Sequence, residues 1–282
     1  MRRGGLEKIL RREEEPMWKQ MVSGPFYFVT MWLWNTVVPD ERVDADIRVI
    51  CLSDTHNGVT SEVPDGDVLI HAGDLTCNGT REEIQPTLDW LSSFSHRHKI
   101  VIAGNHDKIL SEDPDSLRWN DIVYLQDSSY EMQIRGRSLK VWGSPWTPKL
   151  GSFSFQYDRV DDGGEGRWKE IPDDTDILVT HGPPRCHLDG AHSSARGRAG
   201  CVGLMRALWR VNPKLHVFGH IHAARGHTQE IELGPLSCLS STKCLRSLIF
   251  KREGVSQLVN AAVERGYDPR RKSYADAIVI DI

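Results

Sequence analysis

The sequence predicts an α/β fold (α+β under some schemes), and three observations predict it. Five short runs rich in Ile, Val and Leu read as buried strands. A helical pattern between two of them makes a strand-helix-strand unit, whose connection is right-handed. Each run also ends in Asp, Asn or His. Open α/β sheets place their chemistry at the carboxyl ends of their strands.

Taken in order, residues 1–45 read as an arm. Arg2, Arg3, Arg11 and Arg12 precede Glu13 to Glu15, and an aromatic-rich stretch follows over 21–38. That stretch falls short of the roughly 20 apolar residues needed to span a bilayer. It also carries Pro25 and Asn35, so it reads as packed on the domain or as a peripheral membrane contact. Residues 46–282 read as one domain. Asp46 to Asp54 is the first strand, ending in Asp54-x-His56, and a second runs to Gly73-Asp74. Thr80 to Phe94 is a helix. Thr80 is its N-cap, Glu83 holds the capping-box position, and Pro86 bends the first half. Lys99 to Asn105 is the third strand, delivering Gly104-Asn105-His106-Asp107.

Pro114 starts a short helix over Asp113 to Trp119. Tyr130 to Arg135 and Ser138 to Trp142 form a hairpin joined by Gly136-Arg137. Gly143 to Pro148 is a rigid loop that exposes Trp146, and 151–167 is surface. Ile177 to Gly182 is a strand tipped by His181, and Cys201 to Val211 is an amphipathic helix ending before Pro213. Leu215 to His222 is the last tipped strand, 233–254 reads as an insertion, and Ala277 to Ile282 closes the chain.

A chain of 282 residues with 39% hydrophobic content supports one sizeable core. The net charge of -4 supplies no basic field, so no nucleic acid partner is expected. The six Cys form no C-x-x-C pair, which points to a reduced, intracellular setting, the cytoplasm. Nothing in the sequence sets the oligomeric state.

The strand tips together offer Asp54, His56, Asp74, Asn105, His181, His220 and His222. Each alone is an ordinary turn residue; the joint pattern is not. Carboxylate, imidazole and amide oxygen suit Mn, Fe or Zn. No Cys belongs to the set, which argues against a structural zinc site. Seven donors exceed what one ion needs and match two, with one carboxylate shared by ions about 4 Å apart. Such a pair polarises a phosphoryl oxygen and activates a bridging water for in-line attack. His71 and His216 sit inside strands and read as core. Arg185, Arg196 and Arg198 either grip a substrate phosphate or lie solvated. His187, His192 and His227 are loop residues near the site. Trp146 either stacks on a base or packs in its loop. No Gly-x-Ser-x-Gly elbow or phosphate-binding loop is present.

In this fixed order, Asp54-x-His56, Gly73-Asp74, Gly104-Asn105-His106-Asp107, His181 and Gly219-His220-x-His222 resemble the signature of the calcineurin-like metallophosphoesterase superfamily. The likeness covers about 47–222. Trp142 to Pro148, Thr180 to Pro184 and Pro213 to His222 are similar to the metallophosphoesterase-domain-containing (MPPED) proteins, relatives of the class III cyclic nucleotide phosphodiesterases. The resemblance implies a four-layer αββα metallophosphoesterase sandwich of two mixed β-sheets flanked by helices. It implies two divalent metal ions, with Asp54, His56 and His222 on the first, Asn105, His181 and His220 on the second, and Asp74 between them. His106 would contact the phosphate and protonate the leaving oxygen, and Asp107 would play a structural part. Asn105, Arg185 and His187 join His106 as substrate-binding candidates. The implied activity is hydrolysis of a small phosphoester, a nucleotide or cyclic nucleotide phosphodiester, by a metal-bridging hydroxide. The alternative is a low-activity nucleotide-binding regulatory protein on the same fold. Many members carry an acidic residue three positions after the bridging Asp to orient the His; here that position is Cys77. Some MPPED relatives lack the final His of the last motif; His222 is present here.

Overall fold

The apolar runs form two sheets because nearly every residue in them is buried, on both faces. That is the sequence signature of sheet covered from two sides. In the first sheet β1 (Arg48–Leu52), β2 (Val68–Ala72), β3 (His98–Ile102) and β4 (Ile122–Tyr124) run parallel. The closing strand β13 (Ile278–Asp281) lies antiparallel on β1. In the second sheet β6 (Arg137–Ser144), β9 (Ile177–Thr180), β10 (Leu215–Phe218) and β12 (Gln257–Asn260) run parallel. Its edges are β5 (Ser128–Ile134) and β11 (Gly226–Thr228), both antiparallel. A separate pair joins β7 (Thr147–Pro148) to β8 (Gln156–Tyr157).

The structure, a computed structural model, describes residues 46–58, 62–158, 165–190, 199–228, 256–264 and 274–282. The arm 1–45 and the insertion 233–254 lie outside these residues, as do His192, Arg196 and Arg198.

Strand alternation builds four layers. Val49, Cys51, Ile70 and Ile100 of the first sheet share one core with Val141, Val179 and Val217 of the second. Their neighbours Ile50, Leu52 and Leu69 turn outward to Ile84, Leu88 and Leu91 of helix α1 (Arg81–Ser92). On the second sheet Leu178, Phe218 and Leu258 pack against Leu204 and Leu208 of the helix Val202–Val211. The order is helix, sheet, sheet, helix. Parallel strands in each sheet bring all their carboxyl ends to one side. There the polar tips of β1, β2, β3, β9 and β10 meet.

Several local expectations are refined. Thr80 does cap α1, its Oγ1 accepting from Glu83 N at 3.3 Å. Glu83 reaches further back than a capping box requires. It accepts from Asn78 N at 2.9 Å and from Asn57 Nδ2 at 2.9 Å, which ties the helix to the turn after His56. The hairpin turn is Arg135-Gly136, one residue earlier than expected, because Ile134 pairs with Arg137. The helix expected over Asp113 to Trp119 is only a 3-10 turn, Pro114–Ser116. Trp146 is held in its loop: Nε1 donates to Asp127 at 2.7 Å and the Arg167 guanidinium covers the ring at 4.0 Å. The stretch expected at the surface over 151–167 carries the buried Phe155.

His71 and His216 are fully buried, each with Nε2 on a Thr hydroxyl: Thr55 at 3.0 Å and Thr180 at 2.8 Å. Burial pushes their pKa values down to about 4 and about 3. A depressed histidine is neutral in the folded chain and takes up a proton on unfolding. Stability is therefore full above about pH 6.5 and falls as pH drops below it. The metal-stripped protein should lose about 2 kcal/mol per residue between pH 7 and pH 5. Urea melts of wild type and His216→Leu check this; the variant should lose part of the pH dependence.

Candidate metal centre

The loop after β1 carries Asp54 and His56, and the loop after β2 carries Asp74. Both turns are drawn together by backbone: Asp54 N donates to Gly73 O at 2.9 Å and His56 N to Asp74 O at 3.1 Å. Asp54 (φ 55°), His56 (45°), Asp74 (53°) and His220 (66°) all sit in the left-handed region. Each such residue costs about 1–2 kcal/mol. Strain of this kind concentrates where side chains must point inward at a common centre.

Two glycines permit the close approach. A Cβ on Gly104 would lie 2.2 Å from Asp74 Oδ1, and one on Gly219 would lie 2.0 Å from Asp54 Oδ2. Only a residue without a side chain lets the backbone of one motif pass this near the carboxylate of another.

On one side of the centre, Asp54 Oδ1 lies 3.1 Å from His222 Nε2, which lies 3.4 Å from His56 Nε2. On the other, His181 Nε2 lies 3.2 Å from Asp74 Oδ2 and 3.1 Å from Asn105 Oδ1. The His220 ring stands 5.0 Å from that of His181. Asp74 Oδ2 is also 3.8 Å from His56 Nε2, so this carboxylate faces both sides. Donor atoms of Asp54, His56 and His222 fall within 4.8 Å of one another, as do those of Asp74, His181 and His220. All seven predicted donors are thus brought together.

This donor set fits divalent cations. His56 Nδ1 faces Thr76 O at 3.2 Å and His181 Nδ1 faces Ala72 O at 2.8 Å. A carbonyl only accepts, so each ring keeps a proton on Nδ1 and turns Nε2 inward. Burial would push His181 down, but the Asp74 carboxylate outweighs it and lifts the ring to about 9. Burial likewise opposes the charge on Asp54, yet His222, His181 and His56 hold its carboxyl well below the usual range. A buried place that draws a proton onto an imidazole this strongly is a place for positive charge.

His106 lies against this centre, its ring 5.0 Å from that of His56. Its N donates to Asp74 Oδ1 at 2.8 Å. The group that orients the ring is the Cys77 backbone carbonyl, 2.8 Å from His106 Nδ1. No acidic side chain is needed at that position, because any residue supplies the carbonyl. Asp107 is fully buried; it accepts from Gly104 N, Leu75 N, Thr76 N and Thr76 Oγ1 at 2.8–3.1 Å and pins the loops. Arg185 and His187 are half-buried on the loop after β9, which Arg185 N fixes to Cys201 O at 2.9 Å.

Two nearby residues went unnoticed in the sequence. Phe153, about half exposed, stands 4.8 Å from the His106 ring. Glu264 lies 3.7 Å from His56 Nε2. No clear local signal marks Glu264: the run Leu258 to Val263 is interrupted by Asn260, and the pairing of Ala262 with Ser53 is what brings it to the site.

The chain is similar to several known proteins. A protein of Emericella nidulans named probable rhamnogalacturonate lyase C is 43% identical over 236 residues, which are 78% of this chain and 22% of that protein. Human metallophosphoesterase domain-containing protein 1 is 38% identical over 209 residues, 64% of this chain and 61% of the relative. A UPF0046 protein of Caenorhabditis elegans is 36% identical over 197 residues, 64% of this chain and 65% of the relative. The chain therefore spans less than two thirds of each relative's length. Residues 47–224 match the calcineurin-like phosphoesterase family, and with most of the chain so covered, the protein belongs to that family.

Proposed function

We propose that this protein is a dinuclear-metal phosphoesterase that hydrolyses a P–O bond of a small phosphoester, a nucleotide or cyclic nucleotide phosphodiester. The observation that carries the reading is Asp74, whose Oδ2 faces His181 at 3.2 Å and His56 at 3.8 Å. A carboxylate shared between two donor groups suits two ions rather than one. Asp54, His56 and His222 would hold the first, Asn105, His181 and His220 the second, with Asp74 between. The mixed O and N donors suit Mn, Fe or Zn. When bound, such a pair supplies Lewis-acid polarisation of the phosphoryl group and an activated water.

The chain's own residues do the rest. His106 keeps one proton on Nδ1, directed at Cys77 O. As the imidazolium the ring would carry a second proton on Nε2; that proton would pass to the departing oxygen and leave the ring neutral with its Nδ1 proton in place. Asn105 contacts the phosphoryl side, and Arg185 and His187 contact the remainder of the substrate. The regulatory-protein alternative rests on the missing acidic residue at Cys77; the contact of His106 Nδ1 with Cys77 O supports the enzyme reading against it. The lyase in the fungal relative's name is no part of this reading, since only 22% of that protein matches. The proposed setting is the cytoplasm. Among the described residues no helix is long and apolar enough to cross a membrane.

Metal-stripped protein resupplied with Mn should hydrolyse bis(p-nitrophenyl) phosphate at least ten times faster than p-nitrophenyl phosphate. Equal or reversed rates would sink the diester preference, and no turnover with any divalent metal would favour the regulatory protein.

A further inference from the structure

Three of the site's histidines share one device. His56, His181 and His106 each rest Nδ1 on a backbone carbonyl, at 3.2, 2.8 and 2.8 Å. His222 is arranged differently. It sits on a 3-10 turn, His222–Ala224, and 27% of its side chain is exposed. Its Nε2 points to Asp54 at 3.1 Å, while its Nδ1 faces the Glu264 carboxylate at 3.9 Å.

Glu264 reaches this place through pairing. Ala262 pairs in parallel with Ser53, and Val263 N donates to Ser53 O at 2.9 Å. That register runs 262–264 alongside 53–55 and sets Glu264 beside the loop of His56. On its other side Glu264 pairs with Tyr274, and Ala275 N donates to Val263 O at 2.7 Å. The Glu264 side chain is 15% exposed, so both its neighbours and its burial hold it in position. It also lies outside the residues 47–224 that carry the family match.

We propose that Glu264 is the positioning carboxylate of the first metal position, the one that Asp54, His56 and His222 would hold. From 3.9 Å its charge favours the proton on Nδ1 of His222 and so biases that ring's tautomer and aim, and the same oxygen adds negative charge 3.7 Å from His56 Nε2. The inference rests on the two-metal reading above. A carboxylate placed behind a ligating imidazole raises its basicity and orients it, and removing such a partner costs 10–100-fold in metal affinity. A carboxylate suits this histidine because its turn is exposed, where a neutral carbonyl would hold less firmly against water.

The test is calorimetric titration of Co(II) into metal-stripped wild type, Glu264→Ala and Glu264→Gln, with visible spectra taken at saturation. Wild type should take up two ions. In Glu264→Ala one ion should weaken by about 10–100-fold and the other stay within threefold. The saturated spectra of all three should coincide, because the ligands themselves are unchanged. Thermal melting of the stripped proteins should match, which separates positioning from folding. Both ions binding Glu264→Ala within threefold of wild type would overturn the proposal. So would an altered saturated spectrum, which would make Glu264 a direct ligand. A wild type that takes up one ion or none would instead fail the two-metal reading, and the role of Glu264 with it.

Discussion

Asp74→Asn should abolish turnover and leave the protein folded. The substitution keeps the shape and keeps an oxygen to accept from His106 N, now 2.8 Å from Asp74 Oδ1. It removes a negative charge that lies 3.8 Å from His56 Nε2 and 3.2 Å from His181 Nε2. His181 would lose the carboxylate that contributes most against its burial, so the second position would favour a cation less. The ions that Asp74 would help to hold would supply several kcal/mol of transition-state stabilisation, so kcat/KM should fall on the order of 10³-fold or more. Elemental analysis should show the loss of at least one ion. A variant that keeps both ions and more than a tenth of the activity would show that Asp74 is not shared.

His106→Ala should separate chemistry from metal binding. His106 contacts the centre through Asp74 and the His56 ring, but its Nδ1 is committed to Cys77 O. Its removal should lower kcat by about 10²–10⁴-fold with metal content unchanged. Proton donation matters most when the leaving oxygen is a poor leaving group. The loss should therefore be larger for a cyclic nucleotide, which expels a sugar alkoxide, than for bis(p-nitrophenyl) phosphate. Equal losses on both substrates would remove the general-acid role and leave His106 as a phosphate contact.

What the sequence disclosed follows from where its information is local. An Ile-Val run that ends in Gly104-Asn105-His106 declares both a buried strand and a site, because no structural need places those polar groups there. The same holds for Asp54, Asp74, His181 and the His220–His222 pair. The tipped strands were legible through such runs and α1 through Thr80 and its apolar spacing, while the division of the strands into two sheets came only from the family resemblance. What stayed hidden depends on pairing across the chain or on the backbone. The Cys77 carbonyl orients His106 whatever side chain stands there, so residue identity carries no signal. Glu264 reaches the site only because Ala262 pairs with Ser53, a contact across more than two hundred residues. Phe153 meets His106 through a loop whose shape no periodicity describes. The two-residue strands Thr147–Pro148 and Gln156–Tyr157 are too short to carry a pattern.

The most direct test is stepwise return of Mn to metal-stripped protein, with hydrolysis of bis(p-nitrophenyl) phosphate read at each step beside Asn105→Ala. Activity that rises to a plateau at two ions per chain, and is absent from the variant, is the result a working metal pair requires. A plateau at one ion, or full activity without Asn105, would contradict it.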